Sequence, residues 1–128
     1  MIYIDTSVAL ATLFSEPRKP PEAFWAEPLV SSRLLEYENI VRLNAKRTNP
    51  KGQLAAHKLL GEVELLDLSS NILTRALQPF PVSVRTLDAL HLASMDYLRA
   101  HGQTVELASY DTRLASAAAA LGFAVTKI

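Results

Sequence analysis

The feature that most constrains this chain is a repeated change of period. Five short apolar or β-branched runs, at residues 2–4, 29–31, 63–68, 105–108 and 123–128, are separated by stretches with helical spacing. Val8, Ala9, Ala11, Leu13 and Phe14 suit a helix after the first run. Ser32 caps a second helix carrying Leu34, Tyr37, Val41 and Ala45, ended at Thr48-Asn49-Pro50. Pro50 opens a third, with Leu54, Ala55, Leu59 and Leu60 as its buried side and Gly61 as its stop. Ser69-Ser70 begins a fourth through Ile72, Leu73, Ala76 and Leu77, broken by Pro79 and Pro81. A long helix over 86–101 buries Leu87, Leu90, Ala93, Met95 and Leu98 and ends at Gly102, and an alanine-rich helix over 114–121 ends at Gly122. Strands alternating with helices, without an internal repeat, predict an α/β fold: a three-layer α/β/α sandwich around a mostly parallel sheet.

At 128 residues and 49% hydrophobic, the chain suits one domain, 1–128, with a sizeable core. Thirteen basic residues balance thirteen acidic ones, so a polyanionic partner would need a local patch. The absence of cysteine excludes disulfides, thiolate metal sites and a cysteine nucleophile. The apolar N-terminal run carries Asp5, lacks a basic leader and is too short to span a bilayer, which predicts a soluble, cytoplasmic protein.

Four acids fall near one predicted sheet edge. Asp5 follows the first strand and Asp111 the fourth, Asp88 lies in the first turn of the long helix, and Glu38 lies in the helix after the second strand. Singly, each has an ordinary explanation: Asp5 and Asp111 as helix caps, Asp88 against a helix dipole, Glu38 paired with Arg42 at i,i+4. Glu38 fits its explanation least, because on a helical wheel it falls between Leu34, Val41 and Ala45, whereas Glu36 lies farther round as a surface acid. Carboxylates gathered closely repel, and a cation must sit among them. Hard oxygen donors without a His or Cys cluster suit Mg²⁺ or Mn²⁺, which bridge to phosphate oxygens and support phosphodiester hydrolysis. His91, three residues after Asp88, reads first as a structural or orienting group and second as a substrate contact.

Four segments taken together resemble a known family: Ile4-Asp5-Thr6-Ser7; Ser32-Arg33-Leu34-Leu35-Glu36-Tyr37-Glu38; Arg85-Thr86-Leu87-Asp88-Ala89-Leu90-His91-Leu92-Ala93; and Ser109-Tyr110-Asp111-Thr112-Arg113-Leu114 with residues 118–122. They resemble the PIN-domain family in the order that family uses them, and within it the VapC toxins of type II toxin–antitoxin systems. The resemblance implies a metal-dependent endoribonuclease with Asp5, Glu38, Asp88 and Asp111 as catalytic acids and metal ligands, leaving 5′-phosphate and 3′-hydroxyl ends. Glu36 and Glu38 both offer themselves as the second acid; the spacing from Ser32 and the helical face agree on Glu38. Thr6, Ser7 and Thr112 are implied as supporting groups, joining His91, whose supporting role is read from its helical position. A homodimer and a VapB-like antitoxin, blocking the acids with a basic side chain, are further implications.

Between residues 39 and 61 there is no acid, while Arg42, Lys46, Arg47, Lys51 and Lys58 supply five positive charges. This stretch reads equally as a phosphate-tracking face or as an ordinary solvated helix pair. Arg85 and Arg113, beside two of the acids, are stronger candidates for RNA or antitoxin contact. Phe24 and Trp25 read as core or interface in preference to base stacking. Two rival functions remain: a receiver-like domain accepting a phosphoryl group, for which Asp67 is expected inside its strand, or an RNA-binding module that does not cut.

Overall fold

The computed structural model of the chain describes residues 1–47 and 49–128. Its elements run β1 (Ile2–Ile4), α1 (Thr6–Leu13), a 3-10 turn (Glu22–Ala26), β2 (Leu29–Ser32), α2 (Arg33–Ala45), α3 (Pro50–Gly61), β3 (Val63–Leu66), α4 (Ser70–Ala76), α5 (Thr86–Ala100), β4 (Glu106–Ala108), α6 (Thr112–Ala120) and β5 (Ala124–Val125). The five strands form one sheet in the order β3-β2-β1-β4-β5, with every neighbouring pair parallel. The crossover point of this order lies between β1 and β4, the place where open α/β sheets bind ligands beyond the carboxyl ends of their strands.

Side-chain alternation along the strands builds the three layers. Ile2 and Ile4 of β1 point into one core with Val8, Phe24, Leu29, Leu35, Leu59, Leu60 and Val63. Tyr3 points into the opposite core with Val30, Leu92, Met95, Leu107, Leu114 and Ala118. Helices α1, α2 and α3 therefore cover one face and α5 and α6 the other. Each fully buried leucine or isoleucine of these cores contributes roughly 1.5–3 kcal/mol relative to exposure.

Several boundaries differ from those read in the sequence. β3 stops at Leu66 and β5 covers only Ala124–Val125. Asp67 therefore lies beyond its strand, not within it, and is exposed on the edge of the sheet. Gly102 and Gly122 adopt φ values of 84° and 87° and end α5 and α6 as glycines in the left-handed region do. Gly61 does not: it remains the last residue of α3, with Glu62 as the C-cap. Thr48, read with Asn49 and Pro50 as the end of α2, lies outside the described residues. Asn49 is the N-cap of α3, its side chain accepting from Gly52 N at 2.9 Å.

The larger corrections concern helix faces. On α2 the buried row is Leu35, Asn39 and Leu43 with Leu34, while Tyr37, Val41 and Ala45 face outward. α3 buries Ala56, Leu59 and Leu60 and leaves Leu54 and Ala55 exposed. Leu73 and Leu77 are exposed on and just after α4, whose buried anchor is Ile72. α5 lies between the sheet and α4, so its middle is covered nearly all round, from His91 to Met95, and its exposed end carries Leu87. Apolar period finds a stripe; it does not say which of two neighbouring stripes meets the sheet when both carry leucines.

Candidate active site

At the carboxyl edge of the sheet, a cavity of ≈ 450 Å³ is lined by Asp5, Glu38, Asp88 and Asp111, with Thr6, Ser7, Leu10, Arg42, Arg85, Thr86, Leu87 and His91. The four acids come from four elements: the end of β1, the middle of α2, the first turn of α5 and the start of α6. Two of the same acids are N-caps, and they differ. Asp111 caps α6, its Oδ1 accepting from the backbone N–H of Arg113 at 3.0 Å and of Leu114 at 3.2 Å. Asp5 precedes α1 but its side chain makes no capping bond to that helix.

The Asp5 carboxylate is held by hydroxyls. Ser7 Oγ donates to Oδ1 at 2.6 Å and Ser109 Oγ donates to Oδ2 at 2.8 Å. Both serines also accept from the backbone after β4, Ser7 from Tyr110 N and Ser109 from Asp111 N, each at 2.9 Å. This ties the ends of the two adjacent strands together around one buried acid. Burial pushes the Asp5 carboxyl above its ordinary value, against the opposing pull of Ser7, Ser109 and the nearby His91.

Glu38 is organised separately. Its Oε1 accepts from Thr6 Oγ1 at 2.7 Å and stands 3.2 Å from His91 Nε2. His91 Nδ1 is 2.8 Å from the Tyr3 hydroxyl, so the ring bridges the central strand to α2. Burial disfavours a charged ring, but the oxygens of Tyr3, Glu38 and Asp5 outweigh it and lift His91 to about 10. Burial likewise works against an ionised Glu38, yet His91, Thr6 and Arg42 hold it below the usual carboxylate range. Glu36, by contrast, pairs with Arg33 at 3.1 Å on the surface and lines no part of the cavity.

Arg85 closes the set. It sits before α5, where its guanidinium bonds Asp88 Oδ2 at 2.8 Å and also reaches Asp111 Oδ2. Burial nudges Asp111 upward; Arg85 and the N–H groups at the start of α6 prevail and hold it below its ordinary value.

The other residues singled out in the sequence fall in different places. Arg42 lines the cavity, whereas Lys46 lies over the Phe14 ring at 4.4 Å and Lys58 borders a separate hollow with Trp25. The basic stretch thus contributes one side chain to the cavity, not a continuous face. Thr112 and Arg113 line a neighbouring cavity that shares Arg85 and Asp88 with the first. Phe24 is buried in the core and meets Trp25 edge to face at 5.5 Å. Two participants went unassigned in the sequence, Ser109 and Tyr3. Ser109 had a signal: Ser109-Tyr110-Asp111 ends its strand much as Asp5-Thr6-Ser7 ends the neighbouring one, each offering hydroxyl and acid together. Tyr3 had the general need of a buried phenol for a partner.

Chemically, four carboxylates with no cysteine or histidine set match hard divalent cations. Among the described residues, no three His, Cys, Asp or Glu side chains are grouped tightly enough to hold a metal by protein ligands alone. The donor chemistry suits a hard divalent cation, of a kind that is held partly through its own waters.

The chain belongs to the PIN-domain family, whose model matches residues 2–120. Among its relatives are three ribonucleases of Mycobacterium tuberculosis. VapC47 is 30% identical over 96% of this chain and 93% of that protein. VapC35 is 30% identical over 98% and 95%, and VapC46 is 32% identical over 97% and 95%. A chain from a toxin-antitoxin complex of Klebsiella pneumoniae shares the fold, with a TM-score of 0.64 at 23% identity over 88% of each chain. Among the described residues, no helix is long and apolar enough to cross a membrane.

Proposed function

We propose that this protein is a metal-dependent endoribonuclease and the toxin of a VapBC-type toxin–antitoxin pair. The observation that carries the reading is the convergence of Asp5, Glu38, Asp88 and Asp111 from four elements on one cavity, in a chain whose full-length relatives are VapC ribonucleases. These four carboxylates would hold Mg²⁺ or Mn²⁺, directly or through the waters it keeps. When bound, such an ion supplies Lewis-acid polarisation of a phosphodiester and a water of lowered pKa.

The chain's own groups do the positioning. Ser7 and Ser109 fix both oxygens of Asp5, and Thr6 and His91 fix one oxygen of Glu38. Their other lone pairs remain for a cation or its waters. Arg42 brings positive charge to the cavity, where a phosphate backbone would lie, while Arg85 is paired with Asp88 and Asp111. A receiver-like role finds less support, because Asp67, just past the edge strand β3, lines no part of the cavity.

By the same reading the chain forms a homodimer, acts in the cytoplasm as the single domain 1–128, and is silenced by a VapB-like antitoxin. The test is purified, antitoxin-free protein given RNA with Mg²⁺ or Mn²⁺. Cleavage is expected with either metal, and it disappears in EDTA and in Asp5→Asn. Cleavage that persists unchanged in EDTA or in that variant sinks the reading.

A further inference from the structure

Beside the acid cavity lies a second one of ≈ 520 Å³, lined by Val82, Ser83, Val84, Arg85, Asp88, Thr112, Arg113, Ser116 and Ala117. It lies between the loop leading into α5 and the start of α6, and Arg85 and Asp88 belong to both walls. A strand of RNA held at the acids therefore has a neighbouring hollow to enter across Arg85. The size is within the roughly 300–1,000 Å³ typical of small-ligand sites.

The lining indicates which part of a nucleotide it suits. Three hydroxyls, from Ser83, Thr112 and Ser116, offer both donors and acceptors, as ribose hydroxyls and phosphate oxygens require. Arg85 is already engaged with Asp88 and Asp111. Arg113 is exposed and, among the described residues, is not part of an ion pair, so its charge is available to a phosphate. No aromatic side chain lines the cavity, so the stacking platform that single-strand readers use for bases is missing from it. Nor does it offer the deep apolar pocket that anchors a docked protein helix, since its apolar lining is two valines and an alanine.

We propose that this second cavity is a ribose–phosphate subsite for the RNA next to the cut, with Arg113 neutralising a phosphate and the three hydroxyls engaging the sugar. The inference rests on the ribonuclease reading above. Contacts to phosphate and sugar position a strand without reading its sequence, so the subsite supplies affinity for any RNA.

The test measures binding apart from cleavage. Fluorescein-labelled RNA decamers of two unrelated sequences are titrated in EDTA, by anisotropy, with wild type, Arg113→Ala, Arg113→Lys and Ser116→Trp. Arg113→Ala is expected to weaken both decamers alike, roughly five- to tenfold, and to lower the slope of log Kd against log salt by about one. Arg113→Lys keeps the slope, and Ser116→Trp, which fills the cavity, weakens binding while leaving the slope alone. In Mn²⁺ the losses fall on KM more than on kcat. Wild-type binding of both decamers by Arg113→Ala and Ser116→Trp overturns the subsite. A loss confined to one sequence also overturns it, as does intact RNA binding with loss of a co-purifying protein, which assigns the cavity to a protein partner. Wild type that binds in the expected pattern yet never cuts with either metal refutes the nuclease reading and leaves the subsite standing.

Discussion

Asp5 and Asp111 occupy matching positions before α1 and α6, and their side chains do different things. Asp111 divides its oxygens between the helix it caps and Arg85, whereas Asp5 gives both to Ser7 and Ser109. The two should separate on mutation. Replacing Asp111 by alanine removes a cap worth about 1 kcal/mol and should lower the melting temperature, with asparagine restoring most of the loss. For Asp5 the sign is opposite. Its carboxyl is raised by burial, so the folded state is penalised as pH rises through the folded value and the acid ionises. Asparagine cannot ionise and still offers an oxygen and an amide to the two serines. Asp5→Asn should therefore melt at or above wild type at pH 7, the gap closing in acid where both side chains are neutral. Scanning calorimetry across pH checks this, and a variant much less stable than wild type at pH 7 contradicts it.

At the scale of elements, the contact of α4 with α5 has its own charge network. Asp96 on α5 accepts from Arg75 of α4 at 2.8 Å and from Arg99 at 2.7 Å, while Arg99 also bonds the carbonyl of Leu121 at the end of α6 at 2.7 Å. Arg75 lies over Phe80 at 4.3 Å and Arg99 over Phe123 at 4.0 Å, so each cation is fixed by a ring as well as a carboxylate. Burial nudges Asp96 upward, but the two arginines win and hold it below its ordinary value. A depressed carboxyl stabilises the fold above the unfolded value near 3.8 and loses that contribution as pH falls through the folded value. Asp96→Asn should cost about 1 kcal/mol at pH 7, discounted for the part-exposed setting, and almost nothing in strong acid. A pH-independent difference in denaturant midpoint would refute this account.

The elements also mark where sequence reading stops. Strand–helix alternation, the prolyl breaks and the glycines at 102 and 122 were legible because each rests on local backbone chemistry. The inward face of α2 was not. Glu38 was expected inside a stripe with Val41 and Ala45, yet those residues face solvent, and Glu38 lies at the margin of the true row, where Thr6 and His91 meet it. Asn39 shows why: it is fully buried with neither amide atom hydrogen-bonded among the described residues, and no periodicity rule assigns such a polar residue to a core. Ser109 and Tyr3 stayed hidden because their importance lies in partners about ninety to a hundred residues away.

Across the whole molecule, the proposed self-association can be tested at the exposed apolar side chains on and after α4. Leu77 is 88% exposed and Leu73, one turn before it, 44%. The double variant Leu73→Glu/Leu77→Glu should shift the protein from dimer to monomer in light scattering without lowering its melting temperature by more than about 3 °C. An unchanged mass would place any dimer contact elsewhere.

The strand order has one more consequence, for the cell that must make this protein. β1 is synthesised first and occupies the centre of the sheet, but its partner on one side, β4, pairs Ile2 with Glu106. Until that late strand is translated, Asp5 lacks Ser109 beside it, Glu38 and Asp88 have no fourth companion, and the cavity has no far wall. A nascent chain on the ribosome therefore carries three of the four acids without a pocket to hold them. The acid cavity is therefore complete only after β4 and the start of α6 have followed the other acids out of the ribosome.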